Sequence, residues 1–264
     1  ANSAAMTFQV LPQDRPEAPF WVPNALADVL VEPEGILYVG GGFDQVGPYC
    51  GPMAVLDPAD GRLLSRGFPA IAGEVFDLIS DGAGGWFVAG TFEQVGDQRR
   101  EGVVRVNADG TLHPWNPGLR GTVTTLLRVG TTLYMGGPFD VALGARVRLA
   151  AVDVDSGALR PWNPAASAVS PDQFSSSDAL HDLALVGDAI LIGGYFPEVR
   201  LGGALRPHLA SAHAVTGAAR PYPVVNGAVF EIEQFGMNTL IAGEFTMVNG
   251  LGRSRLALIR GRRV

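Results

Sequence analysis

Lysine is absent: all 19 basic residues of the 264-residue chain are arginine. Without a lysine there is no Schiff-base chemistry and no P-loop phosphate ligand. Cysteine is almost absent too. The lone Cys50, in the loop GPYCGP, has no partner for an internal disulfide and no companion for a zinc site, and it reads as structurally neutral. No apolar run approaches the roughly 18 residues of a membrane helix, so membrane insertion is not expected. There is no nucleophile elbow, no zinc-binding HExxH and no paired-cysteine motif. A formal charge of −7 argues against a phosphate-backbone binder, and no nucleic-acid partner is expected. The arginines gathered at the C-terminus, Arg253, Arg255, Arg260, Arg262 and Arg263, read as solvated strand-edge charges.

What the chain has instead is glycine, 35 residues of it, and much of it recurs in one phrase. LYVGGGFDQVG (Leu37 to Gly47) returns as WFVAGTFEQVG, LYMGGPFDVALG, ILIGGYFPEVRLGG and TLIAGEFTMVNG. The marker aromatics are Phe43, Phe92, Phe139, Phe196 and Phe245, spaced 49, 47, 57 and 49 residues apart. A period near fifty signals a propeller or solenoid. No amphipathic helix follows any copy, which removes a GxGxxG nucleotide loop. The glycines are expected where backbones crowd between neighbouring units.

Within the third unit, TVTTLLRV, TLYMGGPF, RLAAVDV and ALRPWNP give four short strand runs separated by turns, the pattern of one four-stranded antiparallel blade. The turn before the fourth run recurs as DPADG, NADG, DVDSG and HAVTG. Asp, Asn and Gly there serve turn geometry, and a calcium-loop reading of DVDSG is not preferred. An aromatic next to proline closes each unit, at Trp21, Phe68, Trp115, Trp162 and Tyr222, and is expected to pack between adjacent blades. The fifth unit stops after its third run, while Arg15–Pro23 matches a fourth-run phrase. The expected fold is therefore all-β: a single five-bladed β-propeller domain over 1–264. Its units run over 26–71, 73–119, 121–166, 178–225 and 227–262, the last completed by 8–23. Loss of the first 23 residues is expected to unfold it.

The combination LYVGGxF, VG, RLAAVD, TG and PWNP, taken over all five units from about Phe8 to Arg260, resembles the delta-60 repeat family of bacterial propellers. More distantly it is similar to kelch repeats, with their Gly-Gly doublet and later Trp. The resemblance implies a propeller fold and a secreted or surface-exposed bacterial setting. It brings no catalytic motif. This chain departs from the family in placing Asp44, Glu93 and Asp140 after the marker Phe, where the family often has Thr, as Thr246 does here. The opening ANSAAMTF, without an initiating methionine or a hydrophobic signal core, suits a processed secreted protein or an excised piece with vector residues.

Two places could carry function. The long step into unit four reflects an insertion, Ser167–Asp178, and the second-to-third loop of the same unit, Pro197–His208, is longer than its counterparts. Both open on one face, so Asp172, Phe174, His181, Tyr195 and Arg200 are candidate ligand contacts. Drift in a tolerated loop would look the same. The first strands LADVL, VFDLI, LHDLA and VFEIE align Asp28, Asp77, Asp182 and Glu231, with Thr125 in unit three. These carboxylates could ring a channel, bind calcium or serve as acid and base beside His181, as in five-bladed glycosidases. Alternatively, each accepts hydrogen bonds from the neighbouring blade's backbone.

The preferred reading is a non-catalytic, extracytoplasmic binding module that requires no cofactor, is monomeric, and presents a glycan- or protein-binding face around unit four. The alternative is a glycosidase- or lyase-like enzyme using the channel carboxylates and a possible cation, and whether there is catalysis stays open. A third reading is a purely structural repeat in a surface assembly.

Overall fold

The computed structural model describes residues 27–31, 37–41, 53–56, 68–141, 146–164, 179–196, 200–201 and 204–261. Cys50, Asp172, Phe174, Arg262, Arg263 and the segment 8–23 lie outside them. The chain divides into two compact units, Ala1–Pro114 and Trp115–Val264, each taken by itself below. No α-helix occurs among the described residues.

In the first unit, β1 (Ala27–Val31), β2 (Leu37–Gly41) and β3 (Met53–Leu56) form an antiparallel sheet in that order. After β4 (Ile71–Ala72) the pattern returns with β5 (Val75–Ser80) and β6 (Trp86–Gly90). The short β7 (Gln94–Val95) and β8 (Gln98–Arg99) then precede β9 (Val103–Val106). The main sheet runs β5-β6-β9, and β4, β7 and β8 form a small second sheet. Met53 from the first repeat and Phe68 from its closing phrase pack with Val75, Leu78, Trp86, Val88 and Phe92, so the core lies between the two repeats.

In the second unit, β10 (Leu119–Gly121), β11 (Thr125–Val129), β12 (Thr132–Val141) and β13 (Arg146–Asp153) make the third repeat. The fourth consists of β14 (Ala179–Val186), β15 (Ala189–Tyr195), β16 (Arg200–Leu201), β17 (Ala204–Leu205) and β18 (Leu209–His213). The fifth is β19 (Val229–Phe235), β20 (Asn238–Gly243), β21 (Met247–Val248), β22 (Leu251–Gly252) and β23 (Leu256–Arg260). The third and fourth repeats share a core of Tyr134, Leu149 and Ala151 with Leu183, Ile190 and Ile192. The fourth and fifth share Leu191, Leu209, Ile232, Ile241 and Ile259. Burying both faces of a sheet in this way explains why β6 and β15 read as continuous apolar runs rather than alternating ones.

The expected fourth strand is reduced to a single bridge in each repeat that shows it: Val106 with Leu112, Val152 with Leu159, and Ala212 with Ala219. Proline, one residue before the aromatic, supplies no N–H and stops the ladder. The aromatics then do what their position suggested. The Trp115 indole N–H donates to the Asp153 carbonyl at 3.1 Å, and that of Trp162 to the His213 carbonyl, in the next repeat, at 3.0 Å. The Tyr222 hydroxyl meets Thr239 Oγ1, again one repeat on, at 3.0 Å. The turn DVDSG closes on itself, with Asp153 Oδ1 accepting the N–H groups of Asp155 and Ser156. In HAVTG, His213 Nδ1 accepts in the same way from Val215 and Thr216.

The two positions of the glycine doublet have different causes. A Cβ on Gly193 would stand 3.0 Å from Ile232 Cδ1 of the next repeat, which is the crowding between units expected from the sequence. A Cβ on Gly194 would strike the carbonyl oxygen of Ala179 in the same repeat, where the first strand bulges.

Candidate functional site

The bulge sets the geometry of the acidic position. In repeats two, four and five the register of the first strand slips by one residue, so that Asp77 lies opposite Ala89, Asp182 opposite Gly193, and Glu231 opposite Ala242. Thr125, opposite Gly136, holds the equivalent place in the third repeat. The first repeat departs from the alignment by one residue: Val29, not Asp28, pairs with Gly40. Asp28 falls in the bulge itself, at the place of Phe76, Thr124, His181 and Phe230. Its side chain is outside the described residues. The sequence alignment missed this because a bulge inserts one unpaired residue without changing the composition of the strand.

Asp77 and Asp182 adopt the same local arrangement, each Oδ1 accepting the next residue's N–H, from Leu78 and Leu183, at 2.7 Å. Asp182 Oδ2 reaches the next repeat and accepts from Ile232 N–H at 2.6 Å. β19 is an edge of its sheet, so this N–H turns away from β20 and needs an acceptor from outside. In the third repeat the residue at the equivalent place serves a similar end: Thr124 Oγ1 donates to the Leu180 carbonyl at 2.6 Å. Glu231 differs. Its side chain is exposed, yet partial enclosure by protein, with Glu233 two residues along, raises its carboxyl above the ordinary value. Among the described residues no three His, Cys, Asp or Glu side chains are grouped to hold a metal ion.

His181, half-buried in the bulge, meets Phe230 edge-on at 5.0 Å, and burial lowers its pKa so that the neutral imidazole is favoured. At the same end of this repeat, Tyr195 pairs with Ala179 and stands 45% exposed. Its ring lies 5.5 Å from that of His208, which is buried and also 6.3 Å from Phe196. Sequence reasoning passed over His208 as a contact, although its place directly before β18 in the longer loop was a signal. Of the proposed repeat-four contacts, His181 and Tyr195 thus share one end of β14 and β15. Arg200 is placed in β16, with its side chain outside the described residues.

The same end carries an added layer in every repeat of the second unit. β10 pairs with the far half of β12, β16 with β17, and β21 with β22, the last joined by a bridge from Val225 to Val248. The first unit has its counterpart in β4, β7 and β8. In the second, third and fifth repeats the segment entering the repeat is thereby hydrogen-bonded to the region between its second and third strands, whereas the repeat-four insertion Ser167–Asp178 lies outside the described residues.

A family model described as a domain of unknown function (DUF5122) beta-propeller matches residues 84–114. No curated protein is detectably similar in sequence. Among solved structures, the Dos1 propeller is similar with a TM-score of 0.53 at 14% identity, over 91% of this chain and 61% of that one. Two structures of the extracellular domain of BT4673 from B. thetaiotaomicron, assigned to a one-component or a hybrid two-component system, each give a TM-score of 0.52. Their identities are 12% and 14%, over 93% and 90% of this chain. The chain spans 28% of that domain's length. At such identities the likeness speaks to fold alone, and the fold is that of a β-propeller.

Proposed function

We propose that this chain is a non-catalytic binding module, extracytoplasmic in setting, whose contact face is the layer of loops around repeat four, and whose ligand is a glycan or a protein. The observation that carries the reading is Tyr195. A large aromatic ring stands exposed on a hydrogen-bonded frame, backed by the buried rings of His208 and Phe196. A ring fixed in this way offers contact area at little cost in conformational entropy, and its face suits the C–H face of a sugar. The extracytoplasmic setting follows that of the BT4673 neighbours, which are extracellular domains.

The proposal includes five blades closed by Arg15–Pro23 as the outer strand of the last. Positions buried in repeat four against repeat five, such as Leu209, have exposed equivalents in repeat five, such as Leu256 at 56%. That face has the composition of a blade-packing surface. Removal of residues 1–23 is expected to abolish cooperative unfolding, and a protease-resistant truncated protein would overturn closure.

Catalysis by the acidic positions has less support, because both carboxylate oxygens of Asp182 accept backbone N–H groups and so are committed to structure. The test is titration calorimetry against a panel of neutral and acidic oligosaccharides, with Tyr195→Ala as the variant. The expected result is binding by the parent protein that weakens tenfold or more, about 1.4 kcal/mol, in the variant at unchanged Tm. Binding that ignores Tyr195 would move the face elsewhere.

A further inference from the structure

Repeat four ends its third strand on a histidine where repeat three uses an aspartate. In DVDSG, Asp153 Oδ1 accepts the N–H groups of Asp155 and Ser156 at 3.1 and 2.8 Å. Hydrogen bonds from Ser156 hold the Asp153 carboxyl below its ordinary value, so this turn keeps its acceptor in mild acid. In HAVTG the same two places, Val215 and Thr216, donate to His213 Nδ1 at 3.1 and 3.2 Å. A ring nitrogen that accepts carries no proton, so the turn selects the neutral tautomer with its proton on Nε2. Once the ring is protonated both nitrogens are donors, and the acceptor is gone.

The same turn is where repeat three holds repeat four. The His213 carbonyl accepts the Trp162 indole N–H at 3.0 Å, and the Ala214 carbonyl accepts the Tyr134 hydroxyl at 2.6 Å. Three elements bring charged or titratable groups to this place. The β14–β15 hairpin supplies Asp188, whose Oδ2 stands 3.9 Å from His213 Nε2. The run after the turn supplies Arg220, which meets that oxygen at 2.9 Å. Repeat three supplies Tyr134, and burial raises the pKa of its hydroxyl, so it stays a neutral donor. Asp188 thus offers an imidazolium a counter-charge at Nε2 but leaves the loss at Nδ1 unrepaired. With its side chain 24% exposed, His213 exchanges protons with water directly.

We propose that HAVTG is a pH-sensitive turn: protonation of His213 at Nδ1 releases the Val215 and Thr216 N–H groups and loosens the hold of Trp162 and Tyr134 on repeat four. The proton comes from solvent and returns to it, and no covalent bond other than N–H is made or broken. Opening is local, because the backbone bonds from Gly217 N–H to the His213 carbonyl and from His213 N–H to the Ala218 carbonyl do not involve the ring. His213 pairs with Ala189 at the start of β15, whereas Tyr195 ends that strand. The switch therefore stands whether or not the repeat-four face binds a ligand.

The experiment is an NMR titration of the intact protein from about pH 8 to about pH 5, the range in which histidine ordinarily changes charge. It follows the backbone amides, the His213 ring and the indole N–H groups, with exchange rates normalised to those of an unstructured chain. The Val215 and Thr216 amide signals should move with the ring, and their protection should fall roughly tenfold or more. The Trp162 indole N–H should follow them. Asp155, Ser156 and the Trp115 indole, which donates to the Asp153 carbonyl, are controls within the same molecule and should not respond. His213→Asn keeps a neutral acceptor suited to the turn and should hold Val215 and Thr216 protected throughout. The proposal is overturned if the ring does not titrate in this range, if Val215 and Thr216 ignore its titration, or if Asp155 and Ser156 respond alike. It is equally overturned if the response survives in His213→Asn, or if Trp162 behaves as Trp115 does.

Discussion

Asp182 and Glu231 occupy the same place in successive repeats, each opposite a small residue of the second strand and each directly after a bulge, yet they live in different surroundings. Asp182 has the first strand of the following repeat beside it, and its carboxylate ties into that strand at Ile232. Glu231 is the last of the aligned acids along the chain, exposed, with Glu233 nearby and a raised pKa. An acid repeated at one level is therefore a strut where it meets a neighbouring edge strand. Its chemistry is set by that neighbour, not by the repeat.

Removing the strut should have the largest effect. Asp182→Ala leaves two backbone N–H groups, of Leu183 and Ile232, without their acceptor, and a loss of about 2 to 3 kcal/mol is expected by denaturant unfolding. Asp182→Asn keeps one accepting oxygen and should cost about half as much. If Asp182→Ala instead leaves stability intact and abolishes a turnover, the carboxylate is catalytic and the strut account fails.

This contrast also measures how much the sequence disclosed. The repeat, the first three strand runs of each repeat and the inter-repeat role of the closing aromatics Trp115, Trp162 and Tyr222 were legible because periodicity and turn chemistry are local signals. So was the strut, as one of two readings of Asp182. The one-residue offset of Asp28 was not, since only the partner strand reveals which residue a bulge leaves unpaired. Nor were the left-handed backbones of Arg148, His208 and Arg255, because residues of these types ordinarily avoid φ above zero and no motif marks the exception. The second layer of short strands escaped for a related reason. Pairs as short as Arg200–Leu201 with Ala204–Leu205 have no periodicity to detect.

A medium effect is expected where the third repeat reaches the fourth without an acid. Thr124→Val removes the hydroxyl that donates to the Leu180 carbonyl while keeping the shape of the side chain, and should cost about 1 kcal/mol. The double variant with Asp182→Ala sharpens the comparison. Thr124 joins repeat three to four, and Asp182 joins four to five. With no partner shared between them, their effects should add to within about 0.5 kcal/mol. A larger coupling would mean that β14 transmits strain from one seam to the other.

The smallest effect, and the one opposite in sign, belongs to Glu231. Its pKa is raised in the folded protein, so the folded state holds its proton more tightly than the unfolded chain does. Stability from this group is present below the unfolded value, about 4.3, and is lost as pH rises through the raised folded value. Ionised Glu231 is therefore a slight burden at neutral pH. Glu231→Gln should raise Tm slightly at pH 7 and leave it unchanged near pH 3, with a gain below about 0.5 kcal/mol because water screens an exposed carboxyl. Asp182→Asn lowers Tm at pH 7. If Glu231→Gln does so too, then Glu231 also accepts hydrogen bonds across a seam in solution, and the two positions are alike after all.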